Sequence, residues 1–296
     1  MNIFNPSTYA YIPLSEWVEK YFKEWLFDQR PLFKKLSVPI DSVLNSLDYF
    51  FNLVPLPIVI LFFAYFAFRT NGIKFAIFTF CSLIFIDLVD VWEETMTTMA
   101  MIITAVLFCS VIGIPIGIAA SRSNLFEKIL RPILDVMQTI PSFVYLIPVV
   151  MLFGIGITPG VIAIIIFSIA PVIRLTNLGL RQVEKRFKDA ARALACNKWQ
   201  VLYKIELPLA LKTIMAGVNQ TLMLSLSMAV IAALIGAGGL GLTVYVGLGR
   251  LDIGQALVGG IGIVLIAIIF DRISQKCAAR LDFHQISRAY PIPARA

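Results

Sequence analysis

Three stretches of this chain, Thr95 to Ser121, Val136 to Ile173 and Thr213 to Gly249, contain no Asp, Glu, Lys or Arg. A helix needs about 20 mostly apolar residues to cross the hydrocarbon core of a bilayer. Each stretch reaches that length, and no soluble domain of this size could hide all of them. Composition agrees: 59% of the 296 residues are hydrophobic and 15% charged, against about 25% charged in an average soluble domain. The chain is read as an all-α membrane protein.

Seven spans are expected. The first runs from about Phe51 to Phe68 and closes on Arg69; Lys74 opens a second, about Phe75 to Val91. The third is Thr95–Ser121. The run Val136–Ile173 is too long for one helix, and Gly154-Ile-Gly-Ile-Thr-Pro159-Gly160 supplies a turn that divides it into two. Within Thr213–Gly249 the second half is glycine-rich, so the span is about Thr213 to Ile235, and Ile253–Phe270 is the last.

The net charge of +7 lies in short clusters between apolar runs, which marks membrane topology rather than a nucleic-acid surface. With the C-terminus in the cytoplasm, 19 Lys and Arg fall on the cytoplasmic side and 6 on the other. The lysine and arginine bias therefore orients the chain, and an odd number of spans puts the N-terminus outside. If one span is re-entrant, the N-terminus moves to the cytoplasm. No basic segment followed by an apolar core opens the chain, so no cleaved signal peptide is expected.

Residues 1–50 differ in kind. Trp17, Tyr21, Phe22, Trp25 and Leu26 recur at helical spacing opposite Glu16, Glu19, Lys20, Lys23 and Glu24. Ser15 is placed to cap this helix and Pro31 to end it; Val43, Leu44, Leu47, Phe50 and Phe51 form a second amphipathic stretch. Such helices lie in the headgroup plane, as an anchor or as a dock for an external partner.

Catalytic chemistry has little to work with. The one histidine, His284, is near the C-terminus, and Cys81, Cys109, Cys196 and Cys277 are far apart without metal or redox spacing. Gly236-Ala-Gly238-Gly239-Leu-Gly241 follows a span rather than a strand, and no Walker A sequence occurs, so neither a dinucleotide nor ATP is bound by those routes. No catalytic residue, metal site or cofactor is expected. The glycine run either lets helices turn and pack closely or forms a gate, with Gly238 and Gly239 at its centre. Gln138, Asn219 and Gln220, polar within apolar spans, either hydrogen-bond between helices or line a path. Asp135 follows Arg131 by four residues, so the two can satisfy each other. Pro115, Pro141, Pro148 and Pro171 interrupt helical bonding where transport proteins tolerate bends.

The segment 177–212 is charged yet periodic. Leu180, Val183, Phe187 and Ala191 are spaced by three or four; Trp199, Leu202, Tyr203 and Leu207 repeat the pattern after a break near Cys196-Asn197. Two short surface helices are implied, with Ala190, Ala191, Ala193 and Ala195 leaving room for another protein. Asp189-Ala190-Ala191, Ala195 and Ile205-x-Leu207-Pro208 resemble the EAA loop of permease subunits of ATP-binding-cassette importers. Arg131 to Pro148, Met215-Ala-Gly-Val-Asn219-Gln220-Thr221 and Ile235-Gly-Ala-Gly-Gly-Leu-Gly241 resemble the glycine betaine/proline branch of that family, over roughly residues 95–280. Aspartate stands at 189 for the usual glutamate, and Ala195 for a glycine, so Asn197 is expected to take the left-handed position.

The resemblance implies a type I importer (MetI-like) core at 95–275 with its coupling loop at 177–212, after accessory helices at 51–94 and before a cytoplasmic tail at 276–296. It implies a multi-pass subunit of the bacterial inner membrane that pairs with a second permease copy. Two ATPase subunits and an external substrate-binding protein complete the assembly, and the solute is a small quaternary-ammonium or zwitterionic osmolyte. Asp189, Ala190, Ala191, Leu194 and Ala195 are implied at the ATPase contact, with Ile205, Leu207 and Pro208 fixing the exit into the next span. The rival reading, an ion-coupled secondary transporter, predicts titratable groups in mid-span and leaves the long loop unexplained.

Overall fold

The computed structural model describes residues 13–17 and 23–289, and every regular element among them is helical. After the short turn α1 (Leu14–Trp17) come α2 (Lys23–Leu53), α3 (Leu56–Asn71), α4 (Ile73–Leu88) and α5 (Trp92–Arg122). Next are α6 (Asn124–Thr139), α7 (Leu146–Phe153), α8 (Ile157–Ser168) and α9 (Ala170–Gln182). The loop contributes α10 (Lys185–Ala193) and α11 (Lys198–Val201); α12 (Leu207–Ala232), α13 (Gly239–Arg250) and α14 (Ile253–Ala289) close the chain.

Among the described residues four units are long and apolar enough to cross a membrane: Trp92–Arg122, Ile157–Gln182, Lys198–Ile235 and Ile253–Lys276. Two more are pairs bent by 106°, α2 with α3 and α6 with the segment Ser142–Phe153. All seven expected apolar segments are thus helical, but not as seven straight rods. Helix α4 has 16 residues, about 24 Å at 1.5 Å per residue, which is shorter than a full hydrocarbon core. The turn between α7 and α8 is tighter than the expected Gly154–Gly160. Gly154 and Gly156 reverse the chain at φ 88° and 138°, while Thr158, Pro159 and Gly160 already belong to α8.

The centre is built from α5, the α8–α9 unit and α12, with α13 and α14 packed beside α12. Close approach needs small residues, because van der Waals packing holds helices together where hydrophobicity no longer discriminates. Gly117 of α5 shows the constraint: a Cβ there would lie 2.6 Å from Thr176 Cβ and 2.8 Å from Ile173 O. Deeper in the same seam, Ser225 Oγ donates to Ser168 Oγ (3.0 Å), and Ser168 Oγ donates to Ile164 O (2.6 Å). Each hydroxyl thus has a hydrogen-bond partner within the seam.

Helices α3 and α4 form a hairpin docked on α14, where Phe63 meets Phe270 edge-on and Asn71 Nδ2 donates to Arg272 O (3.0 Å). Helix α2 runs across the α7–α8 turn. Arg30 Nε donates to Met151 O (2.5 Å), Phe33 packs edge-on against Phe153, and Thr158 Oγ1 donates to Asp41 Oδ1 (2.5 Å). Pro31 therefore does not end the first helix, contrary to expectation; α2 carries both Pro31 and Pro39 inside it. Proline forfeits one hydrogen bond, and packing on either side holds the helix through that loss. The expected aromatic face from Tyr21 to Leu26 lies outside the residues whose side chains are described, and Trp17 is exposed.

Candidate functional site

The loop between α9 and α12 is held by a small core of its own, Leu180, Val183, Leu202, Ala210 and Ile214. Its first helix, α10, ends when Leu194 N–H donates to Ala190 O and Cys196 N–H to Ala191 O. The reversal falls on Ala195, at φ 57°. The sequence led us to expect Asn197 in the left-handed position, but it is extended and caps α11. Its side chain accepts the Gln200 N–H (2.8 Å), and Gln200 Oε1 accepts the Asn197 N–H (2.8 Å). This reciprocal cap satisfies two helix-end donors and commits Asn197 to extended backbone, so the turn moves to alanine.

The segment after α11 is not a separate surface helix. Leu202–Glu206 form a π-helical turn, with Leu207 N–H bonded to Leu202 O, and continue directly into α12. Pro208 has no N–H to draw the Lys204 carbonyl into the ordinary ladder, which permits the wider turn. Glu206 lies on its inner side, 2% exposed. Arg122, in the last turn of α5, donates to Glu206 through both terminal guanidinium nitrogens, and Lys188 Nζ of α10 lies 3.2 Å from Glu206 Oε1. Sequence reasoning missed this triad. Its only trace there is an acid inside an otherwise apolar Ile205-Glu206-Leu207 run.

The nominated contact residues divide. Asp189, Ala190, Leu194 and Ala195 are exposed, Leu194 by 80%. Ala191 is not on that face: at 2% exposed it turns into the chain, one helical turn after Phe187 on the apolar stripe of α10. Ile205, Leu207 and Pro208 are half-buried at the start of the span. Trp199 and Tyr203, assigned to the inner stripe by spacing, instead stack on each other in the open at 6.1 Å between ring centroids. Leu194 is a third large apolar side chain left exposed on an otherwise charged loop.

The nominated path residues differ in their surroundings. Asn219 Nδ2 donates to Asp271 Oδ1 (2.9 Å), and the Ser274 hydroxyl donates to Asn219 Oδ1, so this side chain joins α12 to α14. Gln138 and Gln220 are exposed. Gly238 and Gly239, at φ 72° and 66°, turn the chain against α5, where Thr98 Oγ1 accepts the Leu240 N–H (2.8 Å). A Cβ on Gly239 would lie 2.4 Å from that same oxygen. Asp135 does not pair with Arg131; Arg174 of α9 takes it at 2.6 Å. A cavity of about 330 Å³ lies beside that pair, lined in part by Glu127, Arg131, Arg174, Asn177 and Arg181. No group of three metal-ligating side chains occurs among the described residues.

Residues 110–282, from mid-α5 through the loop into α14, match the family described as binding-protein-dependent transport system inner membrane component. The chain belongs to this family. Over 275 residues the permease is 49% identical to the glycine betaine/proline betaine transport system permease protein ProW of Escherichia coli, covering 93% of its own length and 77% of that protein. It is 44% identical to the glycine betaine/carnitine transport permease protein GbuB of Listeria monocytogenes, over 89% and 95% of the two chains. With the glycine betaine transport system permease protein OpuAB of Bacillus subtilis, identity is 39% over 90% and 94%. Among solved structures, an inward-facing MetNI methionine transporter chain superposes with a TM-score of 0.56 at 20% identity, over 66% of the permease and 95% of that chain. That likeness establishes the MetI-like fold. Loop and spans are thus parts of one transport subunit of the inner membrane.

Proposed function

We propose that the permease imports a small quaternary-ammonium or zwitterionic osmolyte, glycine betaine first and proline, choline or a related methylamine after it. The observation that carries this is 49% identity over 93% of the chain to a glycine betaine/proline betaine permease. Two copies of the permease enclose the path, two ATPase subunits grip the paired loops, and an external binding protein delivers the solute. The loop and the C-terminus face the cytoplasm, in line with 19 of 25 basic residues on that side. The permease catalyses nothing itself: ATP hydrolysis in the partner closes the ATPase pair, and the exposed Leu194, Trp199 and Tyr203 receive that movement. Recognition of the methylated cation falls to the binding protein, where an aromatic cage suits it.

The test is uptake of labelled glycine betaine, choline and proline by the complex reconstituted in vesicles with its ATPase and binding protein. ATP-dependent uptake of betaine that needs the binding protein is expected. Uptake without ATP that collapses with an ionophore would support the secondary-transporter reading instead, and uptake of none of the three would overturn the substrate class.

A further inference from the structure

Glu206 joins α10 to α5, two elements that the chain separates by α6 to α9. Helix α10 leaves α9 at Val183–Glu184 and reaches α11 across the left-handed Ala195, so regular helix is broken at both of its covalent ends. Lys188 of α10 ties it to the bundle, donating to Leu180 O (3.3 Å) and reaching the Glu206 carboxylate (3.2 Å). On the other side of that carboxylate stands Arg122, from the last turn of α5. A carboxylate that is 2% exposed is strongly unfavourable without cations around it, so the three charges stay together as a unit.

We propose that Glu206 is the positioning residue that locks α10 to α5, so that movement imposed on the loop displaces α5 rather than being absorbed at the two breaks. This rests on the reading of the loop as the ATPase contact. The π-helical turn is part of the device, because it holds Glu206 on the inner side, between Arg122 and Lys188. Exposed loop residues determine whether the ATPase binds; Glu206 determines whether binding is felt in the membrane.

The test compares wild type with Glu206→Gln, Lys188→Met and Glu206→Asp in the reconstituted complex, measuring solute taken up per ATP hydrolysed. Amide exchange of residues 186–194 is followed in the same complexes. Glu206→Gln and Lys188→Met should lower uptake per ATP by about tenfold and speed exchange in α10 by a similar factor, the effect of losing one hydrogen bond to a charged group. Glu206→Asp, which keeps the charge, should recover part of both. A fold defect would lower uptake and hydrolysis together and leave their ratio alone. Lys188→Met keeps Glu206 paired with Arg122, so it carries the test if Glu206→Gln does not accumulate. An unchanged ratio in a working complex, or unchanged exchange in α10, overturns the lock. If the wild-type complex hydrolyses ATP yet takes up none of the solutes, the substrate reading fails and exchange alone judges the lock.

Discussion

Lys188 Nζ lies 3.2 Å from Glu206 Oε1, and it brings a positive charge from the loop to a carboxylate sealed within the bundle. Removing that carboxylate strands two cations, of which Arg122 is about half exposed and Lys188 less so. Glu206→Ala should therefore destabilise the permease by about 2 kcal/mol, as the loss of hydrogen bonds to a charged group does. Denaturant unfolding in detergent measures it, and a loss below about 1 kcal/mol, the value of a surface pair, would contradict the burial.

Ala191 of α10 is 2% exposed, whereas Leu194, just past the end of that helix, is 80% exposed. Leu194→Glu should abolish co-purification with the ATPase while leaving membrane accumulation normal, because it alters only an exposed surface. Ala191→Glu should lower accumulation itself, since it forces a charge into a site with no room or partner. Equal accumulation of both variants would show that the two faces are not distinct.

Ala195 holds φ 57° without a glycine's freedom. Ala195→Gly relieves left-handed strain of about 1 kcal/mol. Amide exchange across α10 and α11 should slow by up to about fivefold, the factor equivalent to that energy. Faster exchange would mean that the alanine is not strained there.

Gly239 faces Thr98 Oγ1 and has φ 66°. Gly239→Ala adds a clash to a backbone penalty and should cost at least about 2 kcal/mol. Thr98→Ala should not rescue it, because the Leu240 N–H then loses its acceptor. A Gly239→Ala variant of ordinary stability but altered transport would favour a gate over a packing role.

Asn219 ties α12 to α14 through Asp271 and Ser274. Asn219→Ala should lower stability by about 1 kcal/mol, as interhelical hydrogen bonds in membranes do. The KM for solute should stay unchanged. A shift in KM without a loss of stability would place this side chain on the path.

Much of this was legible in the residues because it depends on local chemistry. Uncharged runs longer than a bilayer is thick must be buried in lipid or protein, so the spans are written in Thr95–Ser121 and its counterparts. The loop is marked locally by charge with helical spacing, while Asp189-Ala190-Ala191 and Leu207-Pro208 mark it by resemblance to a family. Periodicity also placed Ala191 on the stripe with Phe187, although the small-residue argument set it at the contact.

Orientation about each helix was not legible, since it depends on partners far away in sequence. Arg131 is close enough to Asp135 to pair with it, yet Arg174, 39 residues on, takes the carboxylate. Asn197 has the residue type for a left-handed turn, but the Gln200 cap holds it extended and moves the strain to Ala195. Glu206 gives no local sign that it pairs with Arg122, 84 residues earlier. Sequence alone determined that the chain spans the membrane and carries a long, charged, helical loop between spans, because apolar length and helical period are properties of neighbours. Tertiary structure decided which charges meet beneath that loop. A buried carboxylate must be neutralised by whichever cations the folded bundle brings within reach.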